Sequence, residues 1–188
     1  MNVYAPLILK KRKEVGITQA EFAAALHYSV QTAAKYETGI SEMDVVSLIV
    51  ASRVLGIDVD NFIHGIDKKE NDLADRCEFN ADLFAKNIAT ARIARRVSQK
   101  NLAVAANCST RSIKNYEAGN SVPSLTTFRL ICDALDVKAH EFLFEDLSKR
   151  SDFYVAMKNK RIWVASGSII GALLLSATAI FSGLACLL

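Results

Sequence analysis

The chain has 188 residues, of which 51% are hydrophobic and 23% charged, with a formal net charge of +3. That length admits one medium domain or two small ones, and the apolar share excludes a disordered polyelectrolyte. Cys77, Cys108, Cys132 and Cys186 are scattered without a C-x-x-C pair, and His27, His64 and His140 are isolated, so no metal-ligand or redox spacing exists and reduced thiols facing a cytosol are expected.

In chain order, "MNVYAPLILKKRK" carries its basic residues after a short apolar run, the reverse of a secretory leader. Helical apolar periodicity then predicts helices over 4–15, 18–26, 29–38, 44–55 and 59–63, filling a first domain at 1–65. Residues 66–81 include "DKKENDLADRCE", rich in acids, and read as a solvated linker between two compact units. A second domain at 82–147 begins with "DLFAKNIATARIARR", whose Leu83, Ile88 and Ile93 lie near one face. Ser98 and Ser109 are N-cap candidates for the next two helices, because a hydroxyl accepts from free first-turn amides. Gly119 is the expected stop after the second of them. After Pro123, Leu125, Phe128, Leu130, Ile131 and Leu135 form an apolar stripe, and "AHEFLFEDL" closes the unit. Every charge from Lys86 to Lys114 is positive (Lys86, Arg92, Arg95, Arg96, Lys100, Arg111, Lys114), which suggests a surface facing a polyanion.

A polar juxtamembrane segment follows at 148–161. From Ile162 to Leu188 there is no charged residue, a stretch long enough for a transmembrane helix over 162–188. Lys158, Lys160 and Arg161 precede it and Trp163 sits at its edge. This predicts a single-pass protein of the cytoplasmic membrane with its N-terminal domains in the cytoplasm. Gly167, Gly171, Ala179 and Gly183 make a small-residue stripe through which such helices can pair as a homodimer.

The two domains are copies. Ile8–His64 aligns on Ile88–Phe144 without a gap at an offset of eighty, with twelve identities that include Arg12/Arg92, Gln19/Gln99, Tyr36/Tyr116, Glu37/Glu117, Gly39/Gly119 and Phe62/Phe142. An internal duplication is the reading. Two short helices joined by a tight turn, the second capped by Ser, form a helix-turn-helix in each copy. "SQKNLAVAANCSTRSIKNYEAGNSVPSLTTFRLICDALDV" and "TQAEFAAALHYSVQTAAKYETGIS" resemble the lambda-repressor-like, Xre-type helix-turn-helix family, over residues 5–64 and 84–144. The expected fold is all-α: two five-helix lambda-repressor-like domains followed by one transmembrane helix.

The resemblance implies double-stranded DNA as partner, with the third helix of each domain entering the major groove by its N-terminal end. In the second copy this gives Thr110, Arg111, Ser112, Lys114 and Asn115 as base readers; in the first it gives Val30, Gln31, Thr32 and Lys35. Arg suits guanine, Gln suits adenine, and a Val or Thr methyl suits thymine, so the copies are expected to prefer different half-sites. Gln19 and Gln99 are implied phosphate contacts, with Lys100, Asn120, Arg95 and Arg96 as neighbours. Arg12 with Glu37 and Arg92 with Glu117 are implied structural ion pairs. Copy one departs from the pattern where Ile40 replaces Asn120 and Met43 replaces Pro123, which turns Ile40 towards a partner protein or the other domain.

The function read from these features is a membrane-anchored, sequence-specific DNA-binding transcriptional regulator of bacterial or phage type. The alternative is a membrane-tethered adaptor that uses its helix-turn-helix domains to bind protein. No nucleophile, metal or phosphate-loop constellation points to an enzyme, and no cofactor or metal is expected.

Overall fold

The computed structural model describes residues 4–68 and 78–153. The expected transmembrane helix, its small-residue stripe, most of the juxtamembrane segment and the middle of the acidic linker lie outside the described residues. Among those described, no helix is long and apolar enough to cross a membrane.

The first domain comprises α1 (Ala5–Val15), α2 (Gln19–Ala25), α3 (Val30–Thr38), α4 (Val45–Leu55) and α5 (Val59–Ile63). The second comprises α6 (Ala81–Ala94), α7 (Gln99–Ala105), α8 (Thr110–Glu117), α9 (Leu125–Leu135) and α10 (Ala139–Phe144), followed by a single 3-10 turn at Leu147–Lys149. The described residues form no strand beyond one isolated bridge.

Local chemistry starts and stops these helices at matching places. Thr18 and Glu21 form a reciprocal capping box at α2. Ser29 accepts from the Thr32 amide at α3, and Ser98 and Ser109 accept from the Asn101 and Ser112 amides at α7 and α8. Each such cap contributes about 1 kcal/mol. The connecting turns need left-handed backbone, which Gly16 and Arg96 supply after α1 and α6, and His27 and Asn107 supply between the helix-turn-helix elements.

The cores repeat in the same way. Phe22, Leu48, Leu55 and Phe62 are shut away from solvent in domain one, and their counterparts Leu102, Phe128, Leu135 and Phe142 in domain two. Phe128 stacks edge-on between Phe84, 5.5 Å away, and Phe142, 6.1 Å away, tying α6, α9 and α10 together.

The two units are not held apart as the linker reading expects, although the middle of that linker lies outside the described residues. The domains pack directly, α5 against α10 and α4 against α9, and their buried apolar residues form one continuous cluster. At the junction the Leu125 amide donates to the Met43 carbonyl at 2.9 Å. The Tyr4 hydroxyl meets Thr126 Oγ1 at 2.8 Å, and Thr126 Oγ1 donates to Glu42 at 2.6 Å. His140 meets Asp60 through both its amide and its ring. The linker's first residues are docked as well, since Asp67 pairs with Lys10 and Lys11 of α1.

Candidate nucleic-acid interface

In each domain a short, capped helix leads through a left-handed residue into a second capped helix, α2 to α3 and α7 to α8. One face of the second helix is pinned into the core: Ala33 and Tyr36 are buried in α3, and Ile113 in α8. The helical period then forces the remaining side chains outward. Arg111 and Lys114 are exposed on α8, with Thr110 and Asn115 half-buried at their flanks. On α3, Val30, Gln31 and Lys35 are exposed. Thr32 and Ser112 have a local occupation, since their hydroxyls bond the cap hydroxyls of Ser29 and Ser109 at 3.0 and 2.9 Å.

Behind α3 and α8 lies the same polar anchor. Arg12 of α1 donates through Nε to Glu37 Oε1 at 2.5 Å and through a second nitrogen to Oε2 at 3.2 Å. Arg12 also donates to the Ile17 carbonyl at 2.9 Å. In domain two Arg92 grips Glu117 in the same bidentate way and reaches the Val97 carbonyl at 3.0 Å. The sequence offered no sign of the third member. The amide nitrogen of Gln19 donates to Glu37 at 3.0 Å, and that of Gln99 to Glu117 at 2.7 Å. These glutamines, implied as phosphate contacts, therefore spend one amide hydrogen on the anchor. The other hydrogen and the oxygen stay in a fixed orientation at the start of α2 and α7.

Lys100 and Asn120 are exposed beside α8, and Arg96 is exposed at the turn before α7. Arg95, implied as a neighbour of the phosphate contacts, has partners within the domain. Its guanidinium donates to the Leu135 carbonyl at 2.9 Å and the Asp136 carbonyl at 3.1 Å, lies over the Phe153 ring, and lines a cleft of about 890 Å3 along the domain junction. Ile40 does not pack on the other domain; it is 75% exposed, where the counterpart Asn120 is polar.

The His140–Asp60 contact makes the junction sensitive to pH. The hydrogen bond that His140 donates to Asp60 raises its pKa above the ordinary 6.5 against the opposing effect of burial, and Asp60, Glu141 and Glu145 add attraction. Burial works to raise Asp60, but the hydrogen bond and charge of His140 outweigh it and hold Asp60 below 3.8. A raised histidine contributes stability that is present below 6.5 and lost as pH rises through its folded value. A lowered aspartate contributes stability that is present above 3.8 and lost as pH falls through its folded value. The contribution of this pair is thus fullest between the lowered value of Asp60 and 6.5, and it is lost as pH rises through the raised value of His140. Thermal unfolding of residues 1–155 between about pH 5.5 and about pH 8.5 checks this. The advantage of the wild type over His140→Asn shrinks as pH rises, and an advantage flat across the range refutes the assignment.

A helix-turn-helix family model, of the Xre type, matches the chain twice, over residues 8–62 and 88–142, together more than half of its length. The protein belongs to this helix-turn-helix family, a family of DNA-binding regulators, and carries two copies of its domain in tandem. Comparison with curated proteins and with solved structures gives no match.

Proposed function

We propose that the protein is a sequence-specific transcriptional regulator that grips double-stranded DNA with α8 and α3 and is held at the cytoplasmic membrane by residues 162–188. The observation that carries the DNA reading is the outward row Thr110, Arg111, Lys114 and Asn115 on a helix whose N-terminal end is open and capped. Basic side chains in that row bring affinity for phosphate, and Arg111 brings the planar fork that fits guanine. Binding of residues 1–155 to genomic fragments at two salt concentrations tests it: retention that falls steeply with salt is expected, and no retention, or retention indifferent to salt, sinks the reading.

At the recovered site, Arg111→Ala costs about 1–3 kcal/mol and relaxes preference at one base pair. An unchanged selection profile removes Arg111 from the reading set. The membrane reading rests on the uncharged run from Ile162 and the basic cluster Lys158, Lys160 and Arg161 before it. Fractionation checks it, with the full chain expected in the membrane pellet and residues 1–155 in the supernatant.

A second reading has its own support in domain one. Ile40, 75% exposed, and Val30, 45% exposed, give α3 and its following turn an apolar surface suited to a protein partner. In that reading domain two holds DNA while domain one serves as the adaptor.

A further inference from the structure

The domain junction has a symmetry that the repeat makes visible. Asp44 forms an antiparallel bridge with Ser124, and Asp60 meets His140. In both cases a residue touches its own counterpart, eighty positions on. The helices do the same, since α5 packs on its equivalent α10 and α4 touches its equivalent α9. Equivalent residues meet each other around a two-fold rotation; a head-to-tail translation would set each residue against a different one. The two domains are therefore the halves of a dimer drawn into one chain.

The halves have diverged in a directed way. A pairing of two first domains would set Asp60 against Asp60 and Asp44 against Asp44. A pairing of two second domains would set His140 against His140. Only the unlike pair joins acid to imidazole, and only there does the Tyr4 hydroxyl meet Thr126, because the counterpart of Tyr4 is Phe84 and that of Thr126 is Val46. Attraction in the unlike pair and repulsion in the like pairs together set the partner.

The recognition helices are bound by the same rotation. Duplex DNA carries two-fold axes of its own, so readers related by a rotation meet half-sites that run in opposite directions. The readers themselves differ, Val30, Gln31 and Lys35 on one side and Thr110, Arg111 and Lys114 on the other.

Resting on the DNA-binding reading above, we infer that a single chain of this protein occupies one operator made of two unlike half-sites in inverted orientation, with the Asp60–His140 junction setting their spacing. The chain binds such a site in one direction only, guanine contacts falling under α8 and adenine and thymine contacts under α3.

The test uses the full chain in detergent micelles and duplexes selected from a random pool. One duplex bound per chain is expected, on an inverted pair with different halves. Turning one half round into a direct repeat, or inserting about five base pairs (half a helical turn), weakens binding about a hundredfold, as loss of the second linked contact predicts. Two chains per duplex, a direct repeat bound equally well, or preference for a perfect palindrome overturns the inference while leaving the DNA reading in place. Absence of salt-dependent binding to any duplex overturns that reading itself. Asp60→His sets two imidazoles face to face and is expected to release the spacing requirement; Asp60→His combined with His140→Asp rebuilds the pair and restores it. A single variant that keeps the spacing requirement, or a double variant that fails to recover it, removes the junction from the argument.

Discussion

Arg12→Met destabilises residues 1–155 by about 3–5 kcal/mol, the range for stripping one partner from a buried ion pair. The Glu37 side chain is 4% exposed, so it cannot turn to water when its guanidinium is gone. Gln19 alone remains as its donor, and the Ile17 carbonyl loses a donor at the same time. Restoring a positive charge as Arg12→Lys recovers only part of the loss, because a compact ammonium lacks the planar fork that meets both carboxylate oxygens in parallel. Replacing both partners, Arg12→Met with Glu37→Met, recovers most of it, since no charge is then left buried. Urea unfolding of the three variants checks the series. A loss under about 1 kcal/mol for Arg12→Met would mark the contact as an ordinary surface pair. The expected non-additivity matters for function too. This anchor ties α1 to the end of α3 and orients Gln19, so DNA binding by Arg12→Met falls even where the protein remains folded.

How much of this was legible beforehand depended on whether the signal was local or duplicated. The caps at Ser29, Ser98 and Ser109 announce themselves because the chemistry that starts a helix sits within three residues of the start. The Arg12–Glu37 and Arg92–Glu117 contacts are separated in sequence, yet both members recur at the same offset, which the family resemblance turned into an expectation. The bond from Gln19 to Glu37 was hidden for the opposite reason: a glutamine serves phosphate and carboxylate equally well, and spacing does not choose between them. The domain junction was hidden because its residues pass for core. A clue was present in α4, where Val45, Val46, Leu48, Ile49, Val50, Val54 and Leu55 exceed the single apolar stripe one small domain needs. Ile49 is 3% exposed, while its counterpart in α9 is Arg129. A position apolar in one copy and charged in the other is what an interface between unlike halves leaves behind.

Phe128→Ala costs about 3–5 kcal/mol, the transfer term for a buried ring plus the cavity it leaves. The more informative readout is where the cost appears. Phe128 is wholly buried between Phe84 and Phe142, so its loss undermines α9 and α10 together. These two helices are also the face that domain one rests on: α10 carries His140 to Asp60, and the start of α9 carries Leu125 to Met43. Their loosening frees Met43, which is 2% exposed and accepts from Leu125 across the junction. Hydrogen exchange on residues 1–155 is therefore expected to quicken in α4 and α5 as well as throughout domain two, by comparable factors. Phe62→Ala, the same lesion in domain one, is expected to speed exchange in α9 and α10 reciprocally, because a coupling free energy acts equally in both directions. Exchange confined to the mutated domain in both variants would mean that the halves unfold independently, and a junction that weak could not hold two recognition helices at a set distance. Equal spread in both directions is the behaviour of two halves coupled through one junction.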